Sequence, residues 1–183
     1  MKKYKVNEIF YSLQGEGYFT GTAAVFLRFS LCNRKCGFCD TDFAAFTEMT
    51  ADEIVERVSG YPARHIVITG GEPLLQLDRE LVHALHEREF FVQIETNGSL
   101  PAPKGVDWVT CSPKDGPWLL KTCNELKVVY QGQDVEPLLD RFDPQVAYLQ
   151  PCSCANTDAV VAYILDNPHW RLSLQTHKLA NFK

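Results

Sequence analysis

The sequence has no run of about 18 apolar residues, so no helix of the kind that spans a bilayer is expected. It has no excess of positive charge. Lys and Arg number 18 against 23 Asp and Glu, a net charge of −5, so the basic field that nucleic acid requires is absent and nucleic acid is excluded as a partner. The opening stretch MKKYKVNEIF is basic but has no apolar core, and a signal peptide is not expected there. No low-complexity tract or linker interrupts the 183 residues, which are expected to form one domain, 1–183. The cysteines number 7, an odd count in a chain without an export signal. That argues against a disulfide framework and for reduced thiols in a cytoplasmic protein.

The stretch around which the rest is organised is CNRKCGFCDTD, residues 32–42. Cys32, Cys36 and Cys39 stand at the spacing C-x3-C-x2-C. A structural zinc site asks for four N or S ligands, usually as two separated pairs. Three thiolates on one short loop suit a [4Fe–4S] cube held at three irons, with the fourth iron open to a ligand that is not protein. A zinc module remains the alternative, with Cys111 or a histidine as fourth ligand.

Short apolar runs recur along the chain, each followed by a polar loop. Residues 6–11 and 23–30 read as strands, with a glycine loop containing Gly15, Gly17 and Gly21 between them. Thr50-Ala51-Asp52-Glu53 is a capping box that opens a helix over residues 54–58. HIVITGGEP, FFVQIETNGS, DWVTCSPKDG, ELKVVYQG, AYLQPCS and WRLSLQTHK repeat the strand-then-loop pattern. LDRELVHALHEREF, residues 77–90, carries Leu81 and Leu85 at helical spacing, and further helices are expected over 135–141 and 156–166. Repeated β-then-α units imply a parallel sheet with helical crossovers. A full eightfold barrel takes about 250 residues, so the expected fold is α/β, a partial, open TIM-like barrel of about six parallel strands. The cysteine loop and the segments GGEP, ETNG, SPK, QP and QTHK each follow an apolar run. In parallel α/β folds those strand ends share the face that carries the active site.

Residue types in these loops suggest specific work. Gly70 and Gly71 allow close backbone approach because no Cβ obstructs their carbonyls. Arg28 interrupts the second apolar run. It reads either as an edge residue with its guanidinium in water or as a pocket residue pairing a carboxylate, since unpaired burial is costly.

The cysteine triad after the first core strand, with Phe38 before the last cysteine and GGEP after the second strand, resembles the radical S-adenosylmethionine (SAM) enzymes. That resemblance implies a [4Fe–4S] cluster on Cys32, Cys36 and Cys39, whose open iron is chelated by SAM. Over nearly the whole chain, LQGEGYFTG, FLRFSLCNRKCGFCDT, TGGEP, ETNG, SPK and QTHK are similar to the 7-carboxy-7-deazaguanine synthase family. Those enzymes convert 6-carboxy-5,6,7,8-tetrahydropterin to 7-carboxy-7-deazaguanine with loss of ammonia, a step toward queuosine. By this resemblance Leu13, Gln14, Gly15, Glu16 and Thr96 face the pterin, and Arg28 pairs its carboxylate. Phe38, Cys39, Asp40, Gly70, Gly71, Glu72, Gly98, Ser112, Lys114 and Gln150 lie around SAM. Thr41 resembles the family's Mg²⁺ ligand, with the substrate carboxylate completing the site. His177 joins the substrate contacts because QTHK ends the last strand on the active face. The same resemblance implies a flavodoxin- or ferredoxin-like electron donor and a homodimer. The nearest rival is another radical SAM enzyme, an activase that abstracts hydrogen from a glycine of a partner protein.

The remaining polar residues have plainer expectations. Cys111 and Cys123 read as small buried hydrophobes, and Cys152 with Cys154 as a C-x-C pair outside any second cluster. His65, His83, His86 and His169 are expected at the surface or in packing. The acids of Asp134–Glu136 read as a solvated helix start. Lys183 reaches the substrate only if the tail folds inward.

Overall fold

The strand runs and the alternation within them account for the architecture of the computed structural model, which describes residues 2–37 and 45–183. In chain order the elements are β1 (Tyr4–Leu13), β2 (Ala23–Phe29), β3 (Thr47–Met49), α1 (Ala51–Ser59), β4 (His65–Gly70), α2 (Arg79–His86), β5 (Phe91–Thr96) and β6 (Trp108–Cys111). They continue with β7 (Glu125–Tyr130), α3 (Pro137–Phe142), β8 (Val146–Pro151), α4 (Thr157–Asp166), β9 (Trp170–Leu172) and α5 (Thr176–Ala180). Among the described residues the strands form one sheet in the order β3-β1-β2-β4-β5-β6-β7-β8-β9. From β2 through β9 every neighbouring pair is parallel. β1 joins β2 and β3 antiparallel. The first and last strands of this order do not pair, so the barrel is open.

Among the described residues seven strands run parallel, slightly more than the sequence suggests, because the short β9 pairs with β8. Two crossovers carry no helix: the segments 97–107 and 112–124 join β5 to β6 and β6 to β7 as loops and turns. Pro101, Pro103, Pro113 and Pro117 remove the amide donors a helix there would need.

Helix boundaries follow local chemistry. Glu53 N–H donates to Thr50 Oγ1 at 3.3 Å and Thr50 N–H donates to Glu53 Oε2 at 2.7 Å, the reciprocal capping box that opens α1. α3 begins at Pro137 rather than at Val135, because proline suits the first helical position and Val135 is instead fully buried before it. The acids ahead of α3 form the solvated start expected, with Asp134 exposed and the Glu136 side chain 42% exposed, but Glu136 has a second role. Glu136 accepts hydrogen bonds from the Tyr163 hydroxyl and Trp170 Nε1, both at 2.8 Å, and lies 2.9 Å from His169 Nε2. It therefore ties α4 and β9 to the start of α3.

Alternation along the strands sorts side chains to two faces. Val25, Leu27 and Phe29 of β2, Ile66 and Ile68 of β4, and Val92 and Ile94 of β5 join the main core with Ile54, Val55 and Val58 of α1 and Leu81, Val82 and Leu85 of α2. The other face is the barrel interior. It begins apolar at Ala24, Phe26 and Val67. Further across the sheet it turns polar, with Gln93, Thr110, Glu125, Lys127 and Gln150 all buried.

Candidate active site

The interior face and the strand-end loops enclose a cavity of about 340 Å³, within the range of small-molecule sites. Its walls come from the loop after β1, the inner face of β2, the cysteine loop, and the ends of β4 through β8. The segment after β9 and Lys183 close the rest.

The glycine pair after β4 is pressed against the cysteine loop. Gly70 has φ +139°, and a Cβ there would stand 2.1 Å from the Phe29 carbonyl oxygen. At Gly71 a Cβ would meet the Leu31 carbonyl oxygen at 2.1 Å and Cys32 Cβ at 2.6 Å. Glu72 N–H donates to the Leu31 carbonyl at 2.9 Å. Leu31 itself is held at φ 81°, a conformation a leucine adopts only when its surroundings enforce it. The start of the cysteine loop is thus shaped by the glycine backbone beneath it.

Glu72 does not reach the cavity wall, although the resemblance places it at SAM. Its carboxylate is fully buried and accepts from Leu74 N–H at 3.0 Å, Thr96 Oγ1 at 2.7 Å and Asn97 N–H at 2.7 Å. Burial raises its pKa above the usual range, and the bonds from Asn97, Thr96 and Leu74 oppose that rise. Gly98 also stands behind the wall. Its φ of +80° and its carbonyl, which accepts from Leu119 and Leu120 N–H at 3.1 Å each, fold the 117–120 segment onto β5. Gly70, Gly71, Thr96, Ser112, Lys114 and Gln150 do line the cavity. Lys114 Nζ donates to Ser112 Oγ at 3.0 Å. Burial lowers its pKa, and the nearby Cys36 opposes that shift.

Cys32 and Cys36 both face the cavity. Cys39, with Phe38, Asp40 and Thr41, lies outside the described residues, so the third thiolate, the SAM residues beside it and the Mg²⁺ ligand have no described position. Among the described residues, no group of three or more His, Cys, Asp or Glu is arranged to hold a metal ion. The residues present fit a sulfur-ligated cluster with a bound SAM. Two thiol side chains share the cavity with a cationic lysine, beside a backbone cradle that a single Cβ would fill. Cys111 and Cys123 are buried elsewhere, in the main core. Cys123 and then desolvation raise the Cys111 pKa, which keeps it a neutral thiol.

Leu13, Gln14, Gly15, Glu16, Arg28 and His177 also line the cavity. Arg28 Nε donates to Glu8 Oε1 at 2.9 Å, and its guanidinium carbon stands 5.9 Å from the Phe10 ring centroid. The tail does fold inward: Ser12 Oγ donates to the Lys183 carbonyl at 2.7 Å, and Lys183 Nζ pairs with Glu8 Oε2 at 2.5 Å. Gly15 is fixed by Thr176, whose N–H and hydroxyl both donate to its carbonyl, at 2.9 and 2.8 Å.

Several cavity residues escaped sequence reasoning, chiefly Glu95, Lys127, Gln175 and Asn97. Their signal was present but weak. Glu125 and Lys127 alternate with apolar residues in ELKVV, which marks an inward charged face of a strand.

Comparison with known proteins adds three findings. Residues 27–123 match the model of the Radical SAM superfamily. The chain is 55% identical over 180 residues to the 7-carboxy-7-deazaguanine synthase of Bacteroides thetaiotaomicron, covering 98% of each chain. It is 43% identical to that of Bordetella pertussis, covering 96% of this chain and 97% of the relative. A crystal structure of QueE from Escherichia coli superposes with a TM-score of 0.83 at 31% identity, covering 94% of each chain.

Proposed function

We propose a reaction from one premise: the chain belongs to the Radical SAM superfamily and, within it, to the 7-carboxy-7-deazaguanine synthase family. The protein is a radical SAM lyase. It converts 6-carboxy-5,6,7,8-tetrahydropterin to 7-carboxy-7-deazaguanine with release of ammonia, in the biosynthesis of 7-deazapurines. The observation that carries this reading is full-length similarity to relatives of that name, at up to 55% identity. No comparison favours the glycyl-radical activase alternative.

The residues lining the cavity support a division of labour. Cys32, Cys36 and Cys39 would hold three irons of the [4Fe–4S] cluster. SAM would lie along Gly70 and Gly71, with Ser112, Lys114 and Gln150 beside it. Bound there, the cluster would pass one electron to SAM, and the pair would supply the radical chemistry of hydrogen-atom abstraction. The chain's own residues choose which hydrogen is near enough to be taken. Glu8 fixes Arg28 Nε, leaving the Nη atoms to pair the substrate carboxylate at one end. Gln14, Glu16, Thr96 and His177 address the heterocycle. Mg²⁺ on Thr41 would share that carboxylate.

The whole chain works as one domain in this reading, in the cytoplasm and as a homodimer, reduced by an external flavodoxin- or ferredoxin-like protein. No described helix is long and apolar enough to cross a membrane.

Anaerobic reconstitution followed by product analysis tests the reading. The carboxylated tetrahydropterin should trigger 5′-deoxyadenosine formation and yield the deazapurine. Arg28→Ala should lower turnover by about a hundredfold or more, as expected when a charged anchor is removed, with iron content unchanged. Near-normal turnover in that variant would remove the anchoring role.

A further inference from the structure

At the heterocycle end of the cavity three carboxylates surround one ammonium. Lys127 lies on the inward face of β7, its side chain 4% exposed. Its Nζ stands 2.6 Å from Glu16 Oε2 and 3.4 Å from Glu95 Oε2. Glu125, two residues earlier on the same face, is buried and accepts from Trp108 Nε1 at 3.1 Å and Thr110 Oγ1 at 3.2 Å. Taking such a lysine and its carboxylates out of water is repaid only by close geometry and further hydrogen bonds to each partner.

The carboxylates it joins are themselves held on their far sides. Gln175 Nε2 donates to Glu16 Oε1 at 2.9 Å. Gln14 Nε2 donates to Glu95 Oε1 at 2.9 Å, and the Gln14 side-chain oxygen accepts from Glu16 N–H at 3.2 Å. Glu16 and Glu95 thus stand side by side on the cavity wall, bridged by Lys127 and Gln14 and facing the same space. Each carboxylate oxygen has more than one acceptor lobe, so acceptor capacity remains toward the cavity. Glu95 adds a second carboxylate to the one that the sequence identified.

We propose that Lys127 is a positioning residue that sets Glu16 and Glu95 as a paired acceptor for two N–H donors on one edge of the heterocycle. The inference rests on the reaction proposed above and deepens it. A 2-amino-4-oxo pyrimidine ring presents adjacent N–H donors from the amino group and the ring nitrogen, and two fixed carboxylates complement that edge. An analogue lacking the amino group would leave a buried acceptor unpaired, which is how a polar site rejects a near-isostere. Lys127 also keeps Glu16 ionised. Burial alone would raise the Glu16 pKa, but Lys127, then Gln175 and His177, outweigh it and bring it to about 2. The charged groups facing Glu16 are Lys127 and Glu125 from β7, Glu95 from β5, His177 from α5, and Lys114 beyond β6.

The test uses the reconstituted full-length protein with three single variants. Lys127→Met should raise KM for the carboxylated tetrahydropterin about tenfold or more, as for loss of a charged contact. It should also add an acid limb to the pH profile of kcat/KM that the unaltered protein lacks, because Glu16 would lose its main counter-charge. SAM cleavage in the absence of pterin should stay unchanged, and Lys127→Arg should recover most of the loss. Unchanged KM and pH profile, or an equal loss of pterin-independent SAM cleavage, would overturn the proposal.

Should Lys127→Met fail to fold, Glu95→Gln decides, since it leaves the Lys127–Glu16 pair in place. That variant should raise KM for the carboxylated pterin about tenfold while changing it less than about twofold for the analogue without the amino group. Equal effects on both compounds would overturn the pairing. An unaltered protein that leaves the pterin untouched would overturn the proposed reaction, and this inference with it.

Discussion

The Thr96 hydroxyl donates to Glu72 Oε1 at 2.7 Å, and the next backbone amide, that of Asn97, donates to Glu72 Oε2 at 2.7 Å. The loops that end β4 and β5 are therefore one unit, joined through a carboxylate with no exposed surface. In this fold the glutamate of GGEP is an internal strut. It holds the glycine backbone against the cysteine loop and Thr96 at the cavity wall.

Glu72→Ala should reduce both stability and cluster loading. It would leave Asn97 N–H, Leu74 N–H and the Thr96 hydroxyl without their acceptor. A loss of about 2–4 kcal/mol in unfolding free energy is expected from unpaired buried donors, read by chemical denaturation of the iron-free protein. Iron bound per chain after anaerobic reconstitution should fall in parallel.

Gly71→Ala tests the contact beneath the cysteines. The added methyl would overlap the Leu31 carbonyl oxygen, so the segment carrying Cys32 must move. Iron content should drop well below that of the unaltered protein, at a stability cost of about 1–3 kcal/mol from overpacking. Full iron content with normal SAM affinity would show that the two loops can separate without consequence.

Acid stability should report on Glu16. Its pKa is depressed from 4.5 to about 2 in the folded protein, so the unfolded state binds more protons between those values. The stabilisation is fully present above about pH 4.5 and is lost as pH falls toward about pH 2. Glu16→Gln should flatten the dependence of unfolding free energy on pH in that window by up to one proton. Glu8 and Asp78, whose pKa values are also depressed against burial by their cationic partners and hydrogen bonds, would retain their part of the slope.

Much of the architecture was legible because it rests on local patterns. The β-then-loop alternation gave the parallel strands, and Thr50 with Glu53 gave the start of α1 through a capping box four residues wide. The C-x3-C-x2-C spacing and the glycine pair marked the two loops that meet at the cluster end of the cavity. Sequence reasoning faltered where a residue's role depends on partners far along the chain. Glu136 is solvated as read, but its bonds to Tyr163, His169 and Trp170 were not legible, because those partners lie 27 to 34 residues away. The bonds of the Glu72 carboxylate to Thr96 and Asn97, 24 and 25 residues away, were likewise not legible.

The sequence by itself determined the C-x3-C-x2-C spacing, the glycines that admit close backbone approach, and the strand periodicity that gives every strand an inward and an outward face. These are matters of spacing and covalent geometry, and no tertiary contact is needed to read them. Only the tertiary structure decided that Glu16, Glu95 and Lys127, from three separate segments, share one buried charge cluster. An ammonium taken out of water needs counter-charges around it, and only the folded sheet brings those carboxylates within reach.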